Sequence, residues 1–95
     1  MQRDFGLYQN YPNTFNPETS IPYRISTRSY VRLEVYNIYG QLVANITNGE
    51  REPGYYTARW SPNVPSGTYL CRLFVQPLDG KTSAFTDTKK MTLLK

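Results

Sequence analysis

Histidine is absent from this 95-residue chain, and cysteine occurs once. Without histidine, the chain lacks the side chain that most often acts as a general base or binds zinc. Cys71 has no second cysteine with which to form a disulfide, and its apolar neighbours predict a buried, unreactive thiol. The seven aspartate and glutamate residues have no histidine partner, so we predict that the chain is not an enzyme and holds no metal or cofactor.

Long apolar runs are also missing. No stretch approaches the roughly 18 apolar residues of a transmembrane helix, and no charged-then-apolar signal peptide opens the chain. We therefore expect no transmembrane segment, and we expect any export signal to lie on a larger precursor. The net charge is +4, but Lys89 and Lys90 are the only adjacent basic pair. Because no basic stripe with interleaved aromatic residues is visible, nucleic acid is not predicted as a partner.

Tyrosine is abundant, with nine copies against four phenylalanines and one tryptophan. A tyrosine ring packs well in a half-buried sheet while its hydroxyl group reaches water. Short segments of alternating apolar and polar residues recur about every ten residues, separated by proline, glycine and asparagine. This pattern predicts an all-β fold, an immunoglobulin-like antiparallel β-sandwich of about seven strands, formed by residues 1–95 as a single domain.

Individual strands follow from the same pattern. The stretch after the turn at Pro65–Gly67 is apolar on both faces, which predicts a central strand, and Trp60 is predicted to anchor the core. Pro22 predicts an edge or bulged position for its own strand, because proline cannot donate a ladder hydrogen bond. Residues 48–54 are predicted to form an exposed loop. The predicted strands are Ser20–Ser26, Tyr30–Tyr36, Gln41–Thr47, Tyr55–Trp60, Thr68–Gln76, Lys81–Asp87 and Thr88–Lys95.

The first 18 residues are rich in proline and asparagine, which predicts an irregular arm pinned to the core by apolar side chains. Asparagine carbonyl groups in the arm could bind calcium, but Asp4 and Glu18 are too few carboxylates for a tight site. The segment Asn45–Thr47 matches the glycosylation sequon, which we interpret as a chance match. Neither segment is predicted as a functional site.

Four stretches resemble one known family: QNYPNTFNPETSIPYRI (Gln9–Ile25), VRLEVYNIYGQLV (Val31–Val43), PSGTYLCRL (Pro65–Leu73) and TKKMTLLK (Thr88–Lys95). In this order they are similar to the C-terminal sorting domain of type IX secretion substrates. That family is similar in turn to the immunoglobulin-like domain of the flagellar hook-capping protein. The chain departs from the family at Thr14, where proline is usual, and this change relaxes one turn of the arm.

The resemblance implies a non-catalytic module at the end of a larger exported bacterial protein. Its partner would be the outer-membrane secretion machinery, and its location would be secreted or at the cell surface, often with removal of the domain and surface attachment of the cargo. By its residues alone, the last strand is an ordinary sheet strand with solvated lysines. The resemblance favours a recognition tail made of Lys89, Lys90, Met91, Leu93, Leu94 and Lys95.

Two other functions stay open. Exposed tyrosines such as Tyr36, Tyr39 and Tyr55 could form a binding surface for a carbohydrate or a protein. Alternatively, the chain could be a structural subunit that self-associates through its edge strands. The N-terminal arm and the C-terminal strand are the predicted edges for such an exchange, because an unpaired strand edge offers backbone hydrogen bonds to another chain.

Overall fold

The computed structural model describes residues 5–94, which form two packed antiparallel sheets without a helix. Three strands make the first sheet, in the order β1-β2-β5, and four make the second, in the order β4-β3-β6-β7. This arrangement confirms the predicted all-β sandwich. The strands are β1 (Gly6–Leu7), β2 (Thr19–Ile25), β3 (Ser29–Asn37), β4 (Leu42–Arg51), β5 (Gly54–Trp60), β6 (Gly67–Pro77) and β7 (Phe85–Leu93).

A single apolar core lies between the sheets, as the alternation predicted. On β3, the side chains of Val31, Leu33 and Val35 are fully buried, and they lie beside a buried row of side chains on the neighbouring strand β6. The first sheet contributes Ile21 and Ile25 from β2, which are each 1% exposed. The buried residues of β6 are Tyr69, Cys71, Leu73, Val75 and Pro77, which confirms this strand as a central one between β3 and β7.

Trp60 anchors the core at the end of β5. Its side chain is 7% exposed, and its ring centroid lies 5.8 Å from that of Phe15 and 5.7 Å from that of Tyr69. The Tyr69 ring meets Trp60 edge-on, a favoured arrangement for aromatic pairs. The Tyr69 hydroxyl group donates a hydrogen bond to the carbonyl oxygen of Pro65 at 2.6 Å, so its burial leaves no polar group unpaired.

The prediction that Pro22 places its strand at an edge is wrong, because β2 is the middle strand of its sheet. The amide of Tyr8 donates to the carbonyl of Pro22 at 3.0 Å, so the backbone polar groups of Pro22 face the arm. Proline has no amide hydrogen to donate, and this gap lies on the side of β2 that faces the arm, where the pairing with β1 ends at Leu7. The ladder between β2 and β5 is complete, with Pro22 opposite Thr57.

The predicted loop at residues 48–54 is also wrong over most of its length, because β4 continues to Arg51. Register shifts on β4 leave Val43 and Ile46 without a residue opposite them on β3, and such bulges break strict alternation. As a result, Val43, Ala44 and Ile46 all pack against the core, whereas Leu42 is 56% exposed. The simple alternation predicted for this strand fails for that reason.

The C-terminal region contains one strand where two were predicted. Residues 78–84 form a loop, and β7 then runs without a break from Phe85 to Leu93. Within the loop, Asp79 accepts hydrogen bonds from the Thr82 side chain and from the amides of Lys81 and Thr82, which lowers the pKa of its carboxyl group to about 2. The arm supplies the seventh strand instead, as β1.

Replacing Trp60 with alanine tests the aromatic core. We expect Trp60→Ala to lower the free energy of unfolding by about 3–5 kcal/mol, because the cavity between the sheets cannot collapse fully. Urea unfolding followed by circular dichroism measures the loss. Tyr55→Ala is the control, because Tyr55 is 73% exposed on the neighbouring part of β5 and its loss should cost less than about 0.5 kcal/mol. Equal midpoints for the two variants would contradict the assignment.

Burial controls the reactivity of Cys71. Desolvation raises the pKa of its thiol from 9.0 to about 12, because the apolar core disfavours the thiolate. We expect a thiol-specific reagent at mildly alkaline pH to modify the native protein far more slowly than the urea-unfolded protein, since the thiolate is the reacting species. Equal rates in the two states would show that the thiol is accessible.

Candidate recognition surface on the closing strand

The last strand separates core residues from solvent-facing residues by simple alternation. Met91 and Leu93 are 0% and 1% exposed and pack in the core, where Met91 lies opposite Tyr69 of β6. On either side of this pair, Lys90 and Leu94 are exposed to solvent, and Leu94 is 61% exposed. Both apolar side chains therefore hold β7 in the core.

Lys89 occupies the margin of the core face. It lies opposite Cys71 in the register, yet its side chain remains 37% exposed. Its Nζ atom is 4.0 Å from Oδ2 of Asp87, so the ammonium group stays near water and near a carboxylate. A long lysine stem can pack on apolar surface in this way while its charge is solvated. Lys95, the last residue of the predicted recognition tail, lies outside the described residues.

The N-terminal arm covers the outer edge of β7 over its second half. The amide of Phe15 donates to the carbonyl of Thr92 at 3.0 Å, and the amide of Leu94 donates to the carbonyl of Phe15 at 3.1 Å. Side chains extend the contact, because Asn13 Oδ1 accepts from the amide of Thr92 and Gln9 Nε2 donates to the carbonyl of Lys90. The backbone edge from residue 90 to residue 94 is therefore already paired.

A buried polar group fixes the arm to the first sheet. Asn10 is 3% exposed, and its Nδ2 atom donates to Oγ1 of Thr19 at 3.0 Å and to the carbonyl of Pro12 at 3.1 Å. The Thr19 hydroxyl group in turn donates to the same carbonyl at 2.8 Å. The sequence predicted an irregular arm here, but it contained no signal that the Asn10 side chain would reach β2.

The first half of β7 borders a cleft instead of a paired strand. Where Asp87 and Lys89 lie, the arm stands away from β7 and leaves a space of about 260 Å³. The outward amide of Thr88 is capped by Oδ1 of Asp87 at 2.8 Å. The cleft is lined by Phe5, Gly6, Leu7, Tyr8, Asp87 and Lys89.

The three tyrosines of the alternative binding surface lie in different places. Tyr36 is on the outer face of the four-stranded sheet, and its hydroxyl group donates to Glu34. Tyr39 is at the tip of the β3–β4 hairpin and is 81% exposed. Tyr55 is on the outer face of the three-stranded sheet, with the guanidinium carbon of Arg24 5.3 Å from its ring centroid. The structure does not bring the three together.

The edges predicted for strand exchange are bonded to each other. Phe15 of the arm and Leu93 of β7 form a parallel bridge, so each covers part of the other's edge. The open edge of the four-stranded sheet is β4, where the bulges at Val43 and Ile46 interrupt the regular ladder. Bulges of this kind are a common way to discourage edge-to-edge pairing.

The described residues contain no candidate metal cluster. Within residues 5–94 there is no group of three or more histidine, cysteine, aspartate or glutamate side chains placed to hold a metal ion. Over the same range, no helix has the length and apolar character to cross a membrane.

No protein-family model, curated protein or solved structure matches the chain.

Removing the Phe15 side chain tests the contact between the arm and β7. The ring is 1% exposed, so Phe15→Ala should destabilise the fold by about 3–5 kcal/mol. We also expect faster amide hydrogen exchange at Leu94, whose donor is held by the Phe15 carbonyl. Tyr11→Ala is the control, because Tyr11 is in the same arm but 79% exposed. Unchanged exchange at Leu94 in the Phe15 variant would show that the arm is not held by this ring.

Proposed function

We propose that this chain is a non-catalytic sorting module of a larger exported bacterial protein. In this proposal it directs export across the outer membrane and attachment of the cargo to the cell surface, and the outer-membrane secretion machinery is its partner. The sequence resemblance over Gln9–Ile25, Val31–Val43, Pro65–Leu73 and Thr88–Lys95 supports it. These stretches correspond to the arm with β2, to β3 with its hairpin, to β6 and to β7.

The observation that carries the proposal is the two-sided character of β7. Met91 and Leu93 hold the strand in the core, while Lys90 and Leu94 are presented to solvent on the opposite face. A partner can therefore contact the outward side chains without removing any core residue. Because the arm occupies the backbone edge from residue 90 to residue 94, recognition would use side chains and not an added strand.

The proposal is tested by export of a reporter protein fused to this domain, in a host that carries the secretion machinery. We expect the variant with Lys89, Lys90 and Lys95 all changed to alanine to fold almost normally, since exposed charges outside networks contribute within about 0.5 kcal/mol each. The same variant should fail to reach the cell surface, because the positive side chains offered to the machinery are gone. Deletion of Thr88–Lys95 should abolish both folding and export.

A matched control removes three positive charges from elsewhere on the surface. The variant with Arg24, Arg59 and Lys81 changed to alanine has the same net charge as the lysine variant, but it leaves β7 intact. It should be exported as well as the parent domain. Equal export of both triple variants would exclude recognition by the β7 lysines, and normal export after deletion of Thr88–Lys95 would exclude the sorting function.

A further inference from the structure

The outer face of the four-stranded sheet carries an ordered array of arginine and aromatic side chains. Arg32 of β3 lies opposite Phe74 of β6, and its guanidinium carbon is 4.3 Å from the Phe74 ring centroid. Arg72 of β6 is 5.5 Å from the ring centroid of Tyr36 and 5.8 Å from that of Phe74. Each arginine is thus held against a ring, and the Phe74 ring is contacted by both.

The charge that this face shows to solvent is positive. Glu34 is the one carboxylate that β3 and β6 contribute to it, and Glu34 is only 8% exposed. The Glu34 carboxylate accepts hydrogen bonds from the Tyr36 hydroxyl group and from the Asn45 amide group, the latter at 3.4 Å. Nε of Arg32 lies 3.1 Å from the same carboxylate, but it is not aligned for a hydrogen bond. On β4, Glu50 lies opposite Tyr30 on the same face and forms an ion pair with Arg28. On β7, Lys90 lies opposite Leu70. The face therefore carries Arg32, Arg72 and Lys90 against Glu34, which is covered, and Glu50, which is paired.

The arginines are positioned to receive a planar anion. Nε of Arg72 donates to Oγ1 of Thr88 at 3.2 Å, and Nε of Arg32 lies against Glu34. Both contacts use the inner nitrogen Nε, so neither of them engages the terminal nitrogens of the guanidinium fork. An arginine fork binds carboxylates through two parallel hydrogen bonds, and stacking on a ring fixes its plane beforehand.

A shallow cleft of about 210 Å³ adjoins Arg32. Its polar contributors include Gln76 and Thr86, whose amide and hydroxyl groups suit the hydroxyl groups of a sugar. The volume is below the roughly 300–1,000 Å³ of sites that enclose drug-sized ligands. The cleft volume suits a single sugar ring, as one unit of a longer sugar chain that lies across the sheet face.

We propose that this face, built on Arg32, Arg72 and the adjoining cleft, binds an acidic polysaccharide whose uronate carboxylates pair with the two guanidinium groups. A sheet face offers side chains and no free backbone groups, so an extended peptide would gain none of the main-chain hydrogen bonds by which strands usually dock. A carboxylated sugar chain does not need such hydrogen bonds.

Isothermal titration with oligogalacturonate at an ionic strength of about 0.15 M, where the Debye length is about 8 Å, tests the site. We expect the Arg32→Gln/Arg72→Gln variant to bind at least about tenfold more weakly than the parent, because each lost contact is a charged hydrogen-bonded pair. The control is Arg24→Gln/Arg59→Gln, which removes the same charge from the outer face of the three-stranded sheet. It should lower the affinity by less than about threefold, as screened long-range charge does. Circular dichroism and thermal unfolding check that both variants fold.

A second variant keeps the test decisive if the double arginine variant is unfolded. Gln76→Ala/Thr86→Ala changes two exposed cleft residues without changing the charge, and it should also weaken binding of oligogalacturonate. No binding by the parent, equal losses in the two arginine variants, or unchanged binding by the cleft variant would each overturn the proposal. Equally tight binding of polyglutamate that depends on the same arginines would assign the face to an acidic peptide instead. Neutral dextran should not bind.

Discussion

The contact on which the sandwich depends is the crossing of the N-terminal arm between the two sheets. Asn10 of the arm is hydrogen-bonded to Thr19 of β2, and Phe15 of the arm then pairs with the end of β7. A chain of this size buries only about 60–65% of the surface that its unfolded form exposes, so an aromatic ring placed between the sheet edges contributes a large share of its stability. Phe15 contacts Trp60, and through Trp60 it is connected to Tyr69 on β6.

This closure also decides which parts of the surface are available for function. The arm satisfies the backbone edge of β7 near its end, and two bulges disturb the edge of β4. Assembly by strand exchange would first have to break the arm–β7 contacts. One surface left for partners is the outer face of the four-stranded sheet, which is made of side chains. The proposed sorting function uses the end of this face at Lys90, beside Leu94, and the proposed polysaccharide site uses Arg32, Arg72 and the adjoining cleft.

The candidate site was predictable to the extent that it depends on alternation. Because the side chains of a strand alternate between its two faces, Met91 and Leu93 lie on one face and Lys90 lies on the other. This holds whichever strand is the neighbour, and the structure agrees. The arginine–aromatic face was not predictable, because Arg32 and Phe74 are far apart in the chain. Their contact depends on the register between β3 and β6, which no local pattern reveals.

The sequence by itself determined the fold class, the core faces of β3 and β6, the anchoring role of Trp60 and the burial of Cys71. These properties follow from the chemistry of each side chain and from the two-residue period of a strand. Only the tertiary structure decided that Pro22 sits in a central strand and that β4 bulges at Val43 and Ile46. It also decided that the arm closes onto β7. Those features depend on which strands are neighbours in a sheet. Strands that are distant in the sequence become neighbours only when the whole chain packs, so no local sequence pattern reveals their pairing.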